Sequence, residues 1–456
     1  MSSIDRRTFL QSAALSAPLL SRLSHAQEDD APRKANIVLI MADDLGYGDL
    51  GCYGCDDIQT PNIDRIAAQG VRLTDYYASA PVCTPTRCAL MTGRYQARCP
   101  NLEWALYTGV NTVGLAPTET TIATMLNKAG FATGMFGKWH LGEREEWRPN
   151  QHGFDEFFGH LGGNLDYFEH RIANGAPDLY ENNEPVQRDG YITDLITERA
   201  VDFLERKREA PFFAYVAYNA PHWPMQGPDD QDKKVVQGKN WVEKDRATYI
   251  RMVEQIDAGV GKILDQLKAS GLEQNTLVVF CSDNGGDRSS RNTPLRGQKG
   301  HLWEGGVRVP CVMRWPGVLP AGGTNSQASI TMDLSATLLS AAMVRPTRKL
   351  DGMDLLSYLT GYRNPVEQTL VWRNTFRNQR AVRWGKWKWL EIDGKEMLFD
   401  LKKDIGESED ILQRFPDIAH WLREIFGQWE RAMPYKQTLF GNDLHNITSP
   451  DQGATL

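Results

Sequence analysis

At 456 residues the chain is longer than a single hydrophobic core usually supports, so two domains are expected. Its make-up, 41% apolar and 24% charged, is that of an ordinary globular protein. A formal net charge of −7 leaves no broad basic surface to meet phosphates, which excludes wholesale nucleic-acid binding and requires any anionic substrate to be met by a local cluster.

Residues 1–26 read as an export signal. Arg6-Arg7-Thr8-Phe9-Leu10 precedes an apolar segment from Ala13 to Leu20, and Ser24-His25-Ala26 supplies a small-x-small cleavage site. Twin arginines before Phe-Leu point to the twin-arginine route, which carries folded proteins, so a periplasmic or secreted protein is expected. The apolar run is too short and too interrupted to span a bilayer, and no other stretch offers a span. Seven cysteines in an exported chain leave one over. Cys52 and Cys55 lack the second pair a zinc site needs, which leaves a disulfide or plain buried thiols.

Ile37-Val38-Leu39-Ile40-Met41 is a continuous apolar run, as a parallel strand buried on both faces would be, and it runs straight into Asp43-Asp44. A helix-like segment covers Asn62 to Ala68. Cys83-Thr84-Pro85-Thr86-Arg87 then opens a short helix: Pro85 suits its first turn and Gly93 the residue past its end. Cys83 thereby stands at a helix N-terminus, where free N–H groups hold anions and activate a nucleophile. From Thr121 the spacing of Ile122, Met125, Leu126 and Ala129 predicts a helix ended by Gly130, and the strand Phe131 to Phe136 delivers Lys138 and His140. A helix over Ile192 to Arg206 leads to the strand Phe212 to Tyr218, which delivers His222. A helix over Arg246 to Leu267, closed by Gly271, precedes the strand Leu277 to Phe280 and Ser282-Asp283-Asn284-Gly285-Gly286. From about Glu367 the pattern changes to alternating strands around Trp384, Trp387 and Phe399, with turns at Gly385 and Asp393-Gly394. A helix carrying Ile418, Trp421, Leu422, Ile425 and Trp429 follows. The expected division is a catalytic domain over 27–362 and a small α+β domain with its tail over 363–456. Asn446-Ile447-Thr448 fits the glycosylation triplet.

Alternating strands and helices predict an α/β fold whose ligand crevice lies beyond the carboxyl ends of the strands. That edge collects Asp43, Asp44, Lys138, His140, His222, Asp283 and Asn284. Each alone is explained as a loop residue; together they favour metal ligands and proton carriers at one place. Three aspartates and an asparagine form an oxygen-only ligand set, which selects Ca2+ or Mg2+ rather than zinc. Arg87, Lys138 and Lys299 add positive charge, and two histidines can move protons. Such a site suits a tetrahedral oxyanion leaving from an ester.

Five ordered motifs carry a resemblance: Met41 to Asp49, Cys83 to Arg87 with Met91 to Arg94, Gly137 to Gly142, Ser282 to Gly286, and Lys299 to Arg308. They resemble the type I, formylglycine-dependent sulfatases of the alkaline-phosphatase-like superfamily, in their arylsulfatase A-like branch. The resemblance implies a large, mixed, mostly parallel sheet flanked by helices, with a smaller C-terminal antiparallel sheet. It implies that Cys83 is oxidised to Cα-formylglycine by the formylglycine-generating enzyme. The hydrated aldehyde would present one hydroxyl to attack sulfur and a second whose deprotonation expels sulfate. By the same matching, Asp43, Asp44, Asp283 and Asn284 bind the metal together with residue 83. Arg87 and Lys138 hold the formylglycine and metal-side oxygens, His140 is the base, and His222 and Lys299 face the sulfate and the leaving oxygen, with His222 as general acid. The chain departs from the family at Thr86, where serine is usual.

The alcohol is left open. Trp104, Tyr107, Trp147, Tyr167, Trp223, Trp241 and Trp303 either stack on sugar rings or pack. A sulfated carbohydrate or an aryl sulfate is the expected substrate. A phosphomonoester or phosphonate-ester hydrolase and a silent binding protein are the competing readings. The single set of carboxylates, with lysines and histidines where a second metal would sit, favours the monoanionic sulfate over the phosphate dianion.

Overall fold

The computed structural model describes residues 34–109, 112–207, 209–232 and 245–434. The expected export signal, Trp241 and the Asn446 triplet lie outside the described residues. The described residues from Ala35 onward fall in one compact unit.

The large sheet draws on strands β1 (Asn36–Ala42), β2 (Val71–Leu73), β4 (Ala132–Lys138), β5 (Glu156–His160), β6 (Tyr180–Glu181), β7 (Glu184–Pro185), β8 (Phe212–Ala217), β9 (Thr276–Ser282), β10 (Cys311–Arg314) and β11 (Gly323–Asn325), with β3 (Tyr76–Tyr77) and β12 (Ser329–Ile330) pairing separately. Its order is β11-β2-β10-β9-β1-β8-β4-β5-β6-β7. The five central strands, β9 to β5, are mutually parallel, whereas β10 runs antiparallel to both β9 and β2. The longer helices among the described residues are α1 (Pro61–Ala68), α2 (Cys83–Thr92), α3 (Ile122–Lys128), α4 (Ile192–Arg206), α5 (Arg246–Ala269), α6 (Thr331–Ala341) and α7 (Pro416–Ala432).

Successive side chains of a strand point to opposite faces, and the apolar run of β1 therefore feeds two cores. Ile37, Leu39 and Met41 join Phe213, Tyr215, Leu277 and Val279 under α2, α3 and α6. Val38 and Ile40 join Ala214, Val216, Val278 and Phe280 under α1, α4 and α5. Both faces being covered is why these strands read as unbroken hydrophobic runs rather than alternating ones.

Strands β13 (Thr369–Asn374), β14 (Gln379–Trp384), β15 (Trp387–Ile392) and β16 (Lys395–Asp400) form an antiparallel meander. Gly385, Asp393 and Gly394 take positive φ at its tight turns, as hairpin geometry requires. Helix α7 lays Ala419, Leu422 and Phe426 against Trp389 and Leu398 to close a third core. All seven cysteines are free thiols, so Cys52 and Cys55 are not bonded to each other; both are half-buried.

Candidate active site

Register brings the first candidate ligands together. Ala42 lies opposite Ser282 in the β1/β9 pair, so Asp43 and Asp283 leave the sheet side by side. The Asp283 N–H donates to the Ala42 carbonyl (3.2 Å), and the Asp44 N–H donates to Asp283 Oδ1 (3.2 Å). Asp44 itself sits at φ 66, a left-handed turn that a short polar side chain tolerates. On the other side of β1, the Asp43 N–H donates to the Ala220 carbonyl (3.1 Å), which ties in the loop that carries His222.

Helix α2 starts at Cys83 after an extended Val82 and stops at Gly93, whose φ of 64 is the usual left-handed terminator. All ten of its residues are buried. The Thr86 hydroxyl donates towards the Val82 and Ala80 carbonyls (3.2 and 3.1 Å) and accepts the Ala80 N–H (3.2 Å), so threonine here locks the chain entering the helix. Burial pushes the Cys83 thiol up, against the pull of Lys138 and Lys299, which makes the unmodified thiol a poor nucleophile.

Ligand oxygens of Asp43, Asp44 and Asp283 lie within 4.8 Å of one another, and Asp43, Cys83 and His222 offer ligand atoms equally close together. Asp43 Oδ1 and Asn284 Oδ1 are buried without a hydrogen-bond partner, while the Asn284 amide nitrogen donates to Asp44 Oδ1 (2.7 Å). Burial, and then the charge of Asp283, push the Asp43 carboxyl well up. Asp44 is raised by burial against Lys299. For Asp283 burial is outweighed by Arg87 and Lys138, which hold it below the usual carboxylate range. Crowded carboxylates with orphaned oxygens are what a hard divalent cation would satisfy, so the residues fit Ca2+ or Mg2+.

Three cations surround this cradle. Arg87 donates through Nε and Nη2 to Asp283 Oδ2 (3.2 and 2.9 Å) and through Nη1 to the Lys138 carbonyl (2.9 Å). Lys138 Nζ donates to Asp43 Oδ2. Lys299 Nζ donates to Asp44 Oδ2 (2.7 Å) and lies 3.0 Å from His222 Nε2.

The histidines are held in different tautomers. His140 Nε2 lies 2.8 Å from the Leu106 carbonyl, which only accepts, so Nε2 is assigned the proton and Nδ1 is left buried and unpartnered. Burial, and then Lys138, hold its pKa well below the usual imidazole value, so the ring is neutral and can take a proton. In His222 it is Nδ1 that donates, to the Trp223 carbonyl (2.7 Å), which leaves Nε2 to accept from Lys299. Burial, followed by Lys299, keeps this ring neutral as well.

Every site residue expected from the sequence is brought to this one edge. Others had no signal of their own. Thr84 Oγ1 donates to the His140 carbonyl (3.1 Å) and accepts the Leu106 N–H (3.0 Å), coupling the Cys83 helix to His140 and to the carbonyl that orients its ring. A Cβ on Gly163 would lie 2.9 Å from the His140 ring, so only glycine admits this packing. The Lys299 loop is held by the Gly300 N–H on the Pro81 carbonyl (2.8 Å), by Asn374 Nδ2 on the Gly300 carbonyl (3.0 Å) and by the Leu302 N–H on Gln379 Oε1 (2.8 Å). Of the aromatics, Tyr167 is buried with its hydroxyl on the Asn219 and His222 carbonyls, and Trp303 packs on Phe399. Trp104 stacks on Phe376.

The sulfatase family model matches residues 35–344. The N-acetylgalactosamine-6-sulfatase of Rattus norvegicus is 36% identical over 377 residues, which span 76% of this chain and 70% of that protein. The steryl-sulfatase of Mus musculus is 32% identical over 462 residues, 82% of this chain and 72% of that protein. Among solved structures, Ps i-CgsB superposes with a TM-score of 0.82 at 35% identity, over 88% of this chain and 94% of that one. Its complex with k-i-k-neocarrahexaose superposes with a TM-score of 0.81 over the same shares. No described helix is long and apolar enough to cross a membrane.

Proposed function

The chain belongs to the sulfatase family and hydrolyses sulfate monoesters, and from that premise we propose that its substrate is a sulfated carbohydrate and that Cys83, matured to Cα-formylglycine, is its nucleophile. The observation that carries this reading is the cradle of Asp43, Asp44 and Asp283 with two orphaned oxygens, set against a buried Cys83 at a helix N-terminus and ringed by three cations. Two relatives support the carbohydrate: one is named for N-acetylgalactosamine 6-sulfate and the other is solved with a carrageenan oligosaccharide.

Asp43, Asp44, Asp283 and Asn284 would hold Ca2+ or Mg2+, which when bound neutralises oxygens of the ester and of residue 83. Formylglycine supplies a hydrated aldehyde, whose two hydroxyls serve attack on sulfur and release of sulfate. The remaining work falls to this chain's own side chains. Arg87, fixed by Asp283 and the Lys138 carbonyl, holds residue 83 and the metal-side oxygens together with Lys138. His140 Nδ1, free and unprotonated, takes the proton from residue 83. Lys299 and His222 form a hydrogen-bonded pair in which the lysine carries the proton, so the leaving oxygen is protonated through that pair. Burial of the whole set keeps bulk water from competing for these charges.

The division into 27–362 and 363–456, export through residues 1–26 to the periplasm or medium, and maturation by the formylglycine-generating enzyme belong to the same reading. A panel of sulfated saccharides and 4-nitrophenyl sulfate, run beside the matching phosphates on matured protein, tests it. Faster turnover of the sulfates, including at least one saccharide, is expected. A preference for phosphate or phosphonate esters would overturn it in favour of the related hydrolase.

A further inference from the structure

The hairpin β13/β14 does more than close the third core. Its turn reaches the edge of the site: Asn374 donates to the Gly300 carbonyl, and Arg377 Nε lies 3.2 Å from where a Cβ on Gly300 would stand. Gly300 follows Lys299 and is itself bonded to Pro81, two residues before Cys83. Arg377 therefore lies over the loop that presents Lys299.

Four arginines occupy this hairpin, and three have carboxylate partners. Arg373 pairs with Glu103 (2.7 Å), Arg380 with Glu391, and Arg383 with Asp75 (2.5 Å). Arg377 is exposed and, among the described residues, no carboxylate pairs with its guanidinium. A bare guanidinium beside an anion-binding site, in a protein of net charge −7, is the fork that takes a sulfate or carboxylate bidentately. Next to it Phe376, 40% exposed, stacks on Trp104 with ring centroids 4.4 Å apart and planes 14° from parallel. Trp104 is two residues from Leu106, whose carbonyl orients His140. The stacked pair thus bridges the two loops that flank the reacting centre and offers an apolar plate of the kind that carries a sugar face. His301 completes the rim: Gln379 is fixed by the Leu302 N–H and donates to His301 Nδ1 (3.3 Å), leaving Nε2 as that ring's donor.

We infer that Arg377, beside the stacked Trp104 and Phe376, forms a second anionic subsite that binds a further sulfate or carboxylate on the saccharide next to the ester being cleaved. This rests on the carbohydrate-sulfatase reading and narrows it: the preferred substrate carries at least two anionic groups on adjacent positions or adjacent sugars.

Full-length protein with bound metal and Cys83 left unconverted can be titrated calorimetrically without turnover. The probes are neocarra-oligosaccharides of one length bearing one or two sulfates per disaccharide. The expected result is that the more sulfated oligosaccharide binds about tenfold more tightly, the size of a charge-assisted hydrogen-bond pair. Arg377→Gln should bring the two affinities together, and Arg377→Lys should fall between because it cannot fork. Phe376→Ala should weaken both probes while leaving their ratio intact. No preference in the wild-type protein, or a preference that survives Arg377→Gln, overturns the subsite. Failure of the underlying reading would register separately, as absent sulfate turnover in matured protein.

Discussion

Two clusters of buried charge sit in this protein, and they are built from the same inventory. At the site, Asp43, Asp44 and Asp283 face Arg87, Lys138 and Lys299. Beneath the C-terminal sheet, Asp75, Glu304 and Glu407 face Arg308, Arg383 and Lys388. In the second cluster every carboxylate oxygen lies within ion-pair or hydrogen-bond reach of a partner, although Glu407 Oε1 is held by its ion pair with Lys388 alone and makes no hydrogen bond. Lys388 bridges Glu304 Oε1 and Glu407 Oε1 (2.9 and 2.8 Å), the Tyr77 hydroxyl and Arg308 meet Glu304 Oε2 (2.6 and 3.2 Å), and the Glu304 N–H donates to Glu407 Oε2 (2.6 Å). Asp75 is held by Arg383 and Arg308. In the first cluster Asp43 Oδ1 and Asn284 Oδ1 have no partner. Equal charge counts therefore serve opposite ends. The closed cluster pairs all of its charges and fastens the small sheet to the core, whereas the open one leaves Asp43 Oδ1 without a cation and has room for a dication, which would leave it net positive and ready for an anionic ester.

The largest effects separating the two come from the open cluster. Cys83→Ala is expected to cost about three orders of magnitude or more in turnover of 4-nitrophenyl sulfate, as loss of a covalent nucleophile does. Asp283→Asn should be as damaging, since it strips a ligand and also leaves Arg87 short of its buried counter-charge, a loss of about 3–5 kcal/mol in folding. Activity assays beside thermal melting distinguish the two variants, because only the second should melt early.

The closed cluster should answer in stability. Glu304→Gln leaves Lys388 and Arg308 undercompensated inside the protein, at about 3–5 kcal/mol, with far less loss of turnover per folded molecule than Asp283→Asn. A Glu304→Gln protein that melts like wild type but has lost its activity would erase the distinction between the clusters.

A smaller and pH-dependent effect sharpens it further. The Glu407 carboxyl is pushed up to about 7 by burial, with Lys388 pulling it down and Glu304 adding to the rise. The folded state therefore holds its proton at a pH where the unfolded chain, near 4.5, has released it. Its contribution is present at low pH and is lost as pH rises towards 7. Melting temperature followed from pH 5 to 8 should fall less steeply in Glu407→Gln than in wild type. Glu304 runs the other way: burial is outweighed by Lys388 and Arg308, which hold it at about 2, so its contribution is kept across that range.

The open cluster was legible in the sequence and the closed one was not, for a physical reason. Asp43 and Asp283 directly follow apolar strands, Lys138 ends one and His222 lies on the loop after another, and strands of a parallel sheet deliver the residues at their carboxyl ends to one edge. Helix α4 runs over Ile192–Arg206 as its spacing predicts, and Cys83 and Gly93 bound their helix as expected. By contrast Asp75, Glu304, Lys388 and Glu407 are far apart in the chain, and nothing in their local pattern says that they meet. The short strands β2 and β10 are likewise too brief for periodicity to reveal. Thr84 and the Leu106 carbonyl act on His140 through the backbone, which carries no residue signature.

The metal content of the purified protein tests the contrast most directly. Elemental analysis of wild type, Asp43→Asn and Glu304→Gln should find one equivalent of Ca2+ or Mg2+ in the wild-type protein, its loss in Asp43→Asn and its retention in Glu304→Gln. Fully active protein without a stoichiometric divalent cation, or a cation that departs with Glu304→Gln and stays with Asp43→Asn, would contradict the account.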